Sequence, residues 1–144
     1  MTKSPIARKI ASLVHQYELI AIYAFGSRAK EALARVQGEE APSSPISSDL
    51  DIGVLPPRNR HLTIDDKVLI GLELEKLFNV PRVDVVVLPE APPFLALEII
   101  RGELLYASDE VKEAEYELFV LRRAGDLAPW ERERRRMLRT GEAI

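Results

Sequence analysis

Three apolar runs of seven residues each constrain this chain more than any other feature of it. They are Leu19–Phe25 (LIAIYAF), Asp49–Leu55 (DLDIGVL) and Arg82–Leu88 (RVDVVVL), the first closed by Gly26 and the second by Pro56 and Pro57. Short, continuously apolar or β-branched runs bounded in this way read as buried strands. Between them the apolar residues recur at helical spacing. Ser4 and Pro5 open a helix that runs to about Tyr17, with Ile6, Ile10, Leu13 and Val14 on its apolar face. A second helix is predicted from Ser27 to Val36. A third runs from Thr63 to Phe78, its face formed by Ile64, Val68, Leu72 and Leu77. Pro92 and Pro93 start a short helix ending near Gly102, and Leu104–Tyr106 supplies an edge strand. Asp109–Arg139 is helical, with a break around Gly125–Pro129. The alternation predicts an α/β (α+β) fold: a small mixed sheet with flanking helices and a C-terminal helical arm. At 144 residues the chain makes one domain, 1–144, with a core of about 1–107 and an arm of about 108–140. That length buries about two-thirds of the unfolded surface, enough for a core without staples.

Composition narrows the function classes. The net charge of -3 argues against a duplex-DNA binder, which needs a positive field, so no nucleic-acid partner is expected. There are no cysteines, hence no disulfide framework and no thiolate zinc site or nucleophile, which agrees with a reducing cytoplasm. The apolar runs are far too short to cross a bilayer, and MTKSPIARKI lacks the apolar stretch of a signal peptide, so no membrane role is expected either. His15 and His61 have no second histidine at ligand spacing and read as structural or solvated. Residues 37–48 (QGEEAPSSPISS) are a loop by composition.

The chemistry lies on the strands. Period two places Asp49 and Asp51 on one face of their strand and Leu50 and Ile52 on the other, while Asp84 is flanked by Val83 and Val85. Aspartate is a poor strand residue, and a buried carboxylate needs a partner. Three of them in two strands repel one another unless a hard divalent cation, Mg²⁺ by preference, joins them. The alternative is that Asp49 caps a loop and that Asp51 and Asp84 sit at exposed strand ends with salt-bridge partners. Phe25-Gly26-Ser27 bears on that choice. There a strand turns into a helix start, presenting free N–H groups, a hydroxyl and a positive dipole end, with Arg28 beside them. A phosphate cradle followed by a carboxylate pair describes a metal–nucleotide site.

GSRA at 26–29, SDLDIGV at 48–54 and the later Asp84 together resemble the minimal nucleotidyltransferases (MNT) of the DNA polymerase β-like superfamily. Many members of that family are antitoxins paired with HEPN-type toxins. The resemblance implies the polymerase β-like fold and transfer of AMP from ATP to a hydroxyl, typically a tyrosine of the partner toxin. It implies that Gly26, Ser27 and Arg28 bind the nucleotide. It also implies that Asp49, Asp51 and Asp84 bind one or two Mg²⁺ ions, Asp84 helping to deprotonate the acceptor. The chain departs from the family pattern twice. Lys30 and Glu31 stand where a second glycine is usual, and the interval from Ser27 to Asp49 is about twice the usual one, the extra residues falling in the 37–48 loop. Two other functions stay open: an antitoxin that neutralises by direct binding alone, and a small-molecule nucleotidyltransferase.

The arm points to a partner. Val111, Ala114, Leu118 and Leu121 form one stripe, expected to face the domain, and Tyr116, Phe119 and Val120 point to the other side. Tyr116, Phe119 and, beyond the break, Trp130 are the candidate partner interface, with homo- or hetero-oligomers as possible assemblies. ERERRRMLR at 131–139 interleaves both charges and reads as a solvated or partner-contacting face rather than a nucleic-acid patch.

Overall fold

The computed structural model describes residues 4–39 and 49–140; of 126–131, 133, 134 and 138–140 it describes the backbone alone. The described residues form, in chain order, α1 (Pro5–Gln16), β1 (Ala21–Phe25), α2 (Ala29–Val36), β2 (Leu50–Leu55), α3 (Ile64–Phe78), β3 (Val83–Val87), α4 (Pro93–Ile100), β4 (Glu103–Ala107) and α5 (Glu110–Thr140). The sheet order is β3-β2-β1-β4, with β2–β3 parallel and β1 antiparallel to both neighbours. This is the mixed α/β sheet with flanking helices that the sequence predicts.

Local chemistry sets the element ends. Ser4 Oγ accepts from Ala7 N at 3.1 Å and caps α1. Leu19 is lost from β1 because its N–H donates back to the Val14 carbonyl and closes α1. Thr63 and Asp66 form a reciprocal capping box at the start of α3.

Strand alternation divides the core between two faces. Ile22, Ala24, Leu50, Ile52, Val54 and Val83 pack with α1, α2 and α3, whereas Ala21, Tyr23, Phe25 and Leu55 pack with α4 and α5. Asp51, between Leu50 and Ile52, therefore belongs to the α4 face.

Three expectations are corrected. α3 buries Ile70, Leu74 and Phe78, while Ile64, Val68 and Leu72 are exposed; Leu77 is half-buried against the core. Both stripes have helical spacing. The short link at 79–82 folds the C-terminal half of α3 onto β3, so the stripe rich in that half wins. α5 runs unbroken through Gly125 and Pro129. A proline inside a helix crowds the carbonyl four residues back, and that position here is the exposed Gly125, with nothing within 4 Å of where a Cβ would stand. Finally, α5 buries Glu113, Val120 and Ala124 and half-buries Tyr116, leaving Val111, Leu118 and Leu121 outside. The domain-facing stripe is thus the one that holds a glutamate. Of the 37–48 segment, residues 40–48 lie outside the described residues.

Candidate functional site

The site begins where β1 ends. Gly26 has φ +78°, a left-handed conformation that disfavours any side chain, and a Cβ there would stand 2.6 Å from Asp51 Oδ2. Glycine is thus required twice, by the turn and by the carboxylate lying against it. Phe25 and Asp51 are register partners across β1–β2, which fixes that approach. Asp51 and Asp84 are register partners across β2–β3, so their side chains stand on one face of neighbouring strands. Asp49, two residues before Asp51 and half-buried, joins them at the start of β2.

The carboxylates are in electrostatic conflict. Burial first, then the charges of Asp84, Asp49 and Glu98, pushes the Asp51 carboxyl above its ordinary value. Among the described residues neither Asp49 nor Asp51 has a hydrogen-bond or ion-pair partner. Asp84 accepts from Arg82 Nε at 3.1 Å in an exposed pair, as the salt-bridge alternative anticipates for that residue. Among the described residues no three His, Asp or Glu side chains converge into a complete metal cage. Mg²⁺ does not need one: it takes one or two carboxylates and completes its shell with water and substrate phosphate. The all-oxygen donor set, an unpartnered Asp51 and the open cleft that Gly26 lines fit such an ion.

Facing the turn is a cleft of about 610 Å³. One side is Gly26, Ser27 and Lys30, and the other is α4 with the turn that follows it. Ser27 is exposed and its hydroxyl has no partner among the described residues; α2 starts two residues later, at Ala29. Ser27 is therefore not the helix cap. Arg28 is not at the cleft: it is 6% exposed, and its Nε donates to Glu31 Oε2 at 2.7 Å. Glu31 also takes Arg35 Nη2 at 3.1 Å, and Arg35 Nη1 donates to the Phe78 carbonyl, so these residues brace α2 against α3. The sequence reading passes over Phe94, Glu98 and Arg101, whose spacing places them on one face of α4.

On the arm, the Tyr116 ring packs into the α4-side core and meets Phe119 edge-on at 5.7 Å. Phe119 is 47% exposed, with the Arg123 guanidinium over its ring at 5.4 Å. Tyr116 is thus a core residue more than a surface one. The Trp130 side chain lies outside the described residues.

Residues 8–111 match the family model "Polymerase beta, Nucleotidyltransferase". No curated protein matches. Among solved structures, a chain of a toxin–antitoxin with AMP-PNP aligns at TM-score 0.63 and 21% identity, covering 95% of this chain and 98% of that one. A chain of the MntA–HepT toxin–antitoxin aligns at 0.59 and 20%, covering 96% and 97%. The tri-AMPylated Shewanella oneidensis HEPN toxin in complex with MNT antitoxin aligns at 0.59 and 21%, covering 96% and 97%. These likenesses describe the fold, and the family match covers well over half of the sequence. The chain belongs to the polymerase beta nucleotidyltransferase family.

Proposed function

We propose that the protein is a Mg²⁺-dependent nucleotidyltransferase that moves AMP from ATP to a hydroxyl, a tyrosine, of a cognate HEPN-type toxin, and so acts as its antitoxin. The observation that carries this reading is the 2.6 Å approach of a Gly26 Cβ position to Asp51 Oδ2. Any anion held by the turn lies against the acidic face. Phosphate beside carboxylate is stable with a cation between them, which is the arrangement of a metal–nucleotide substrate. The toxin–antitoxin with AMP-PNP and the tri-AMPylated HEPN toxin with MNT antitoxin support it by analogy of fold.

In this mechanism Gly26 and the Ser27 hydroxyl hold the triphosphate at the start of α2. Asp49 and Asp51 hold the ion, one or two in number, and Asp84 completes the acidic set. When bound, the ion neutralises phosphate charge and acidifies the acceptor hydroxyl. The acceptor oxygen bonds to the α-phosphorus as the bond to the bridging oxygen breaks, pyrophosphate leaves, and the hydroxyl proton passes to the Asp84 carboxylate. Arg28 acts from behind, its pair with Glu31 fixing the turn rather than touching phosphate. The chain works as one domain, core about 1–107 and arm about 108–140, in the reducing cytoplasm. The arm, with Phe119 and Trp130, is the toxin-facing surface.

A second reading, neutralisation by masking without catalysis, is favoured by the exposed apolar side chains on α5: Leu118 49%, Phe119 47% and Leu121 44%. One experiment separates the two. The protein is incubated with Mg²⁺, α-labelled ATP and a candidate HEPN-type toxin, and label on tyrosine is sought by mass spectrometry. Transfer that disappears in Asp51→Asn supports the enzyme. Neutralisation without transfer supports masking, and a wild type that binds no nucleotide overturns the enzyme reading.

A further inference from the structure

The α4 wall of the cleft is polarised along its length. Phe94, Leu97, Glu98 and Arg101 line the cleft from one side of this helix. Gly102 pins one end of it: a Cβ there would run into the Ala24 carbonyl oxygen and stand 3.0 Å from Phe25 Cβ. Arg101 is thereby held beside the end of β1, next to the Gly26–Ser27 turn. Lys30 stands across from it on α2. Both cations are exposed, and neither has a carboxylate partner among the described residues. Phe94 lies seven residues back along the helix, about 10 Å away at 1.5 Å per residue. It is 41% exposed, an aromatic surface left open in the wall of a charged cleft. Glu98, between the two ends, is near enough to Asp51 to raise its carboxyl, so the middle of the wall repels phosphate unless a cation intervenes.

Glu103, just past Gly102, also lines the cleft, so the charges there are mixed. The exposed cations Lys30 and Arg101 flank the Gly26–Ser27 turn and Phe94 stands at the far end, an arrangement that fits a ligand with a polyanion at one end and a planar ring at the other. We propose that Phe94, backed by Leu97, is the platform on which the nucleobase stacks, and that Lys30 and Arg101 clamp the polyphosphate. The assignment rests on the nucleotidyltransferase reading and adds to it the direction in which the nucleotide lies. Phe94 then sets affinity for the nucleoside half and has no part in holding the phosphates. Lys30 and Arg101 act on the phosphates whatever base is attached.

The test is calorimetric titration in Mg²⁺ with two probes, ATP and inorganic tripolyphosphate, against the full chain and its variants. Phe94→Ala is expected to weaken ATP about tenfold, the order of one lost base–aromatic stack, and to leave tripolyphosphate unchanged. Phe94→Trp restores ATP binding. Lys30→Ala combined with Arg101→Ala weakens both probes by similar factors. The exposure of Phe94 predicts unchanged thermal melts for its variants. The base platform is overturned if Phe94→Ala leaves ATP affinity intact, or if it weakens tripolyphosphate as much as ATP. Either result leaves the nucleotidyltransferase reading standing. A wild type that binds neither probe overturns both.

Discussion

The Tyr23 hydroxyl donates a 2.6 Å hydrogen bond to Glu113 Oε2, and the two residues are 1% and 5% exposed. The bond ties β1, an inner strand of the sheet, to the first turn of α5, across 90 residues of sequence. Burial and the Glu113 carboxylate hold the Tyr23 phenol well above its ordinary value, so it remains a donor at every working pH. Glu117 lies one helical turn on from Glu113, and the Glu113 carboxyl beside it, together with burial, pushes the Glu117 carboxyl up to about 7. Both carboxyl groups stand on α5, which packs on α4, whose other side lines the cleft.

The sign of the resulting pH dependence follows from Glu117. Its carboxyl is raised from 4.5 to about 7, so the folded state holds a proton that the unfolded state releases. The stability it contributes is fully present below about 4.5 and is lost as pH rises through 7. Thermal melts at pH 5 and pH 8 should show the wild type losing more stability than Glu117→Gln, whose amide does not titrate. Equal losses in the two proteins would remove Glu117 from this role.

Gly26 and Asp51 should be energetically coupled. Gly26→Ala places a Cβ at φ +78° and 2.6 Å from Asp51 Oδ2, which should destabilise the fold by about 1–3 kcal/mol and abolish nucleotide binding. Asp51→Ala removes the obstructing oxygen, so the double variant should recover part of that loss while the backbone strain stays. Strict additivity in a denaturant double-mutant cycle would mean that the two residues do not touch.

Asp51→Asn should be at least as stable as the wild type without metal, because it removes a carboxylate already opposed by burial and by Asp84, Asp49 and Glu98. Adding Mg²⁺ and ATP should reverse the order, raising the melting temperature of the wild type alone. A wild type whose melting is indifferent to both would speak against a metal site here.

How much of this was legible in the sequence depends on the period involved. Strands have period two, so which residues share a face with Asp49, Asp51 and Asp84 follows from alternation alone, even in a sheet covered on both faces. Helices with two apolar stripes have two answers. In α3 the choice turned on a four-residue link to β3, and in α5 on a buried glutamate that hydrophobic patterning counts against its own face. Glu113 is acceptable there because Tyr23 meets it, and no local pattern relates residues that far apart. Arg28 shows the same limit: beside a glycine turn it reads as a phosphate ligand, yet Glu31, three residues on, pairs with it and keeps it off the cleft.

The corrected arm changes which substitutions should separate folding from partner binding. The sequence made Leu118 a core position and Phe119 an interface one, but both side chains are about half exposed, at 49% and 47%, while Val120 between them and the cleft-side helix is 2% exposed. A charge at Leu118 or Phe119 stays in water, and surface changes of that kind cost within about 0.5 kcal/mol. A charge at Val120 must be buried unpaired against the α4-side core. Val120→Glu should therefore unfold the arm or the domain, whereas Leu118→Glu and Phe119→Glu should melt like the wild type. If this face is where the toxin docks, the same two variants should weaken the complex by about 2 kcal/mol or more, the size of an interface hot spot. Phe119→Glu also breaks the stack with Tyr116 and strands Arg123, so Leu118→Glu is the cleaner probe. Thermal melts paired with a calorimetric titration of the partner read both effects. Leu118→Glu and Phe119→Glu that melt normally and bind with wild-type affinity would place the toxin on another surface.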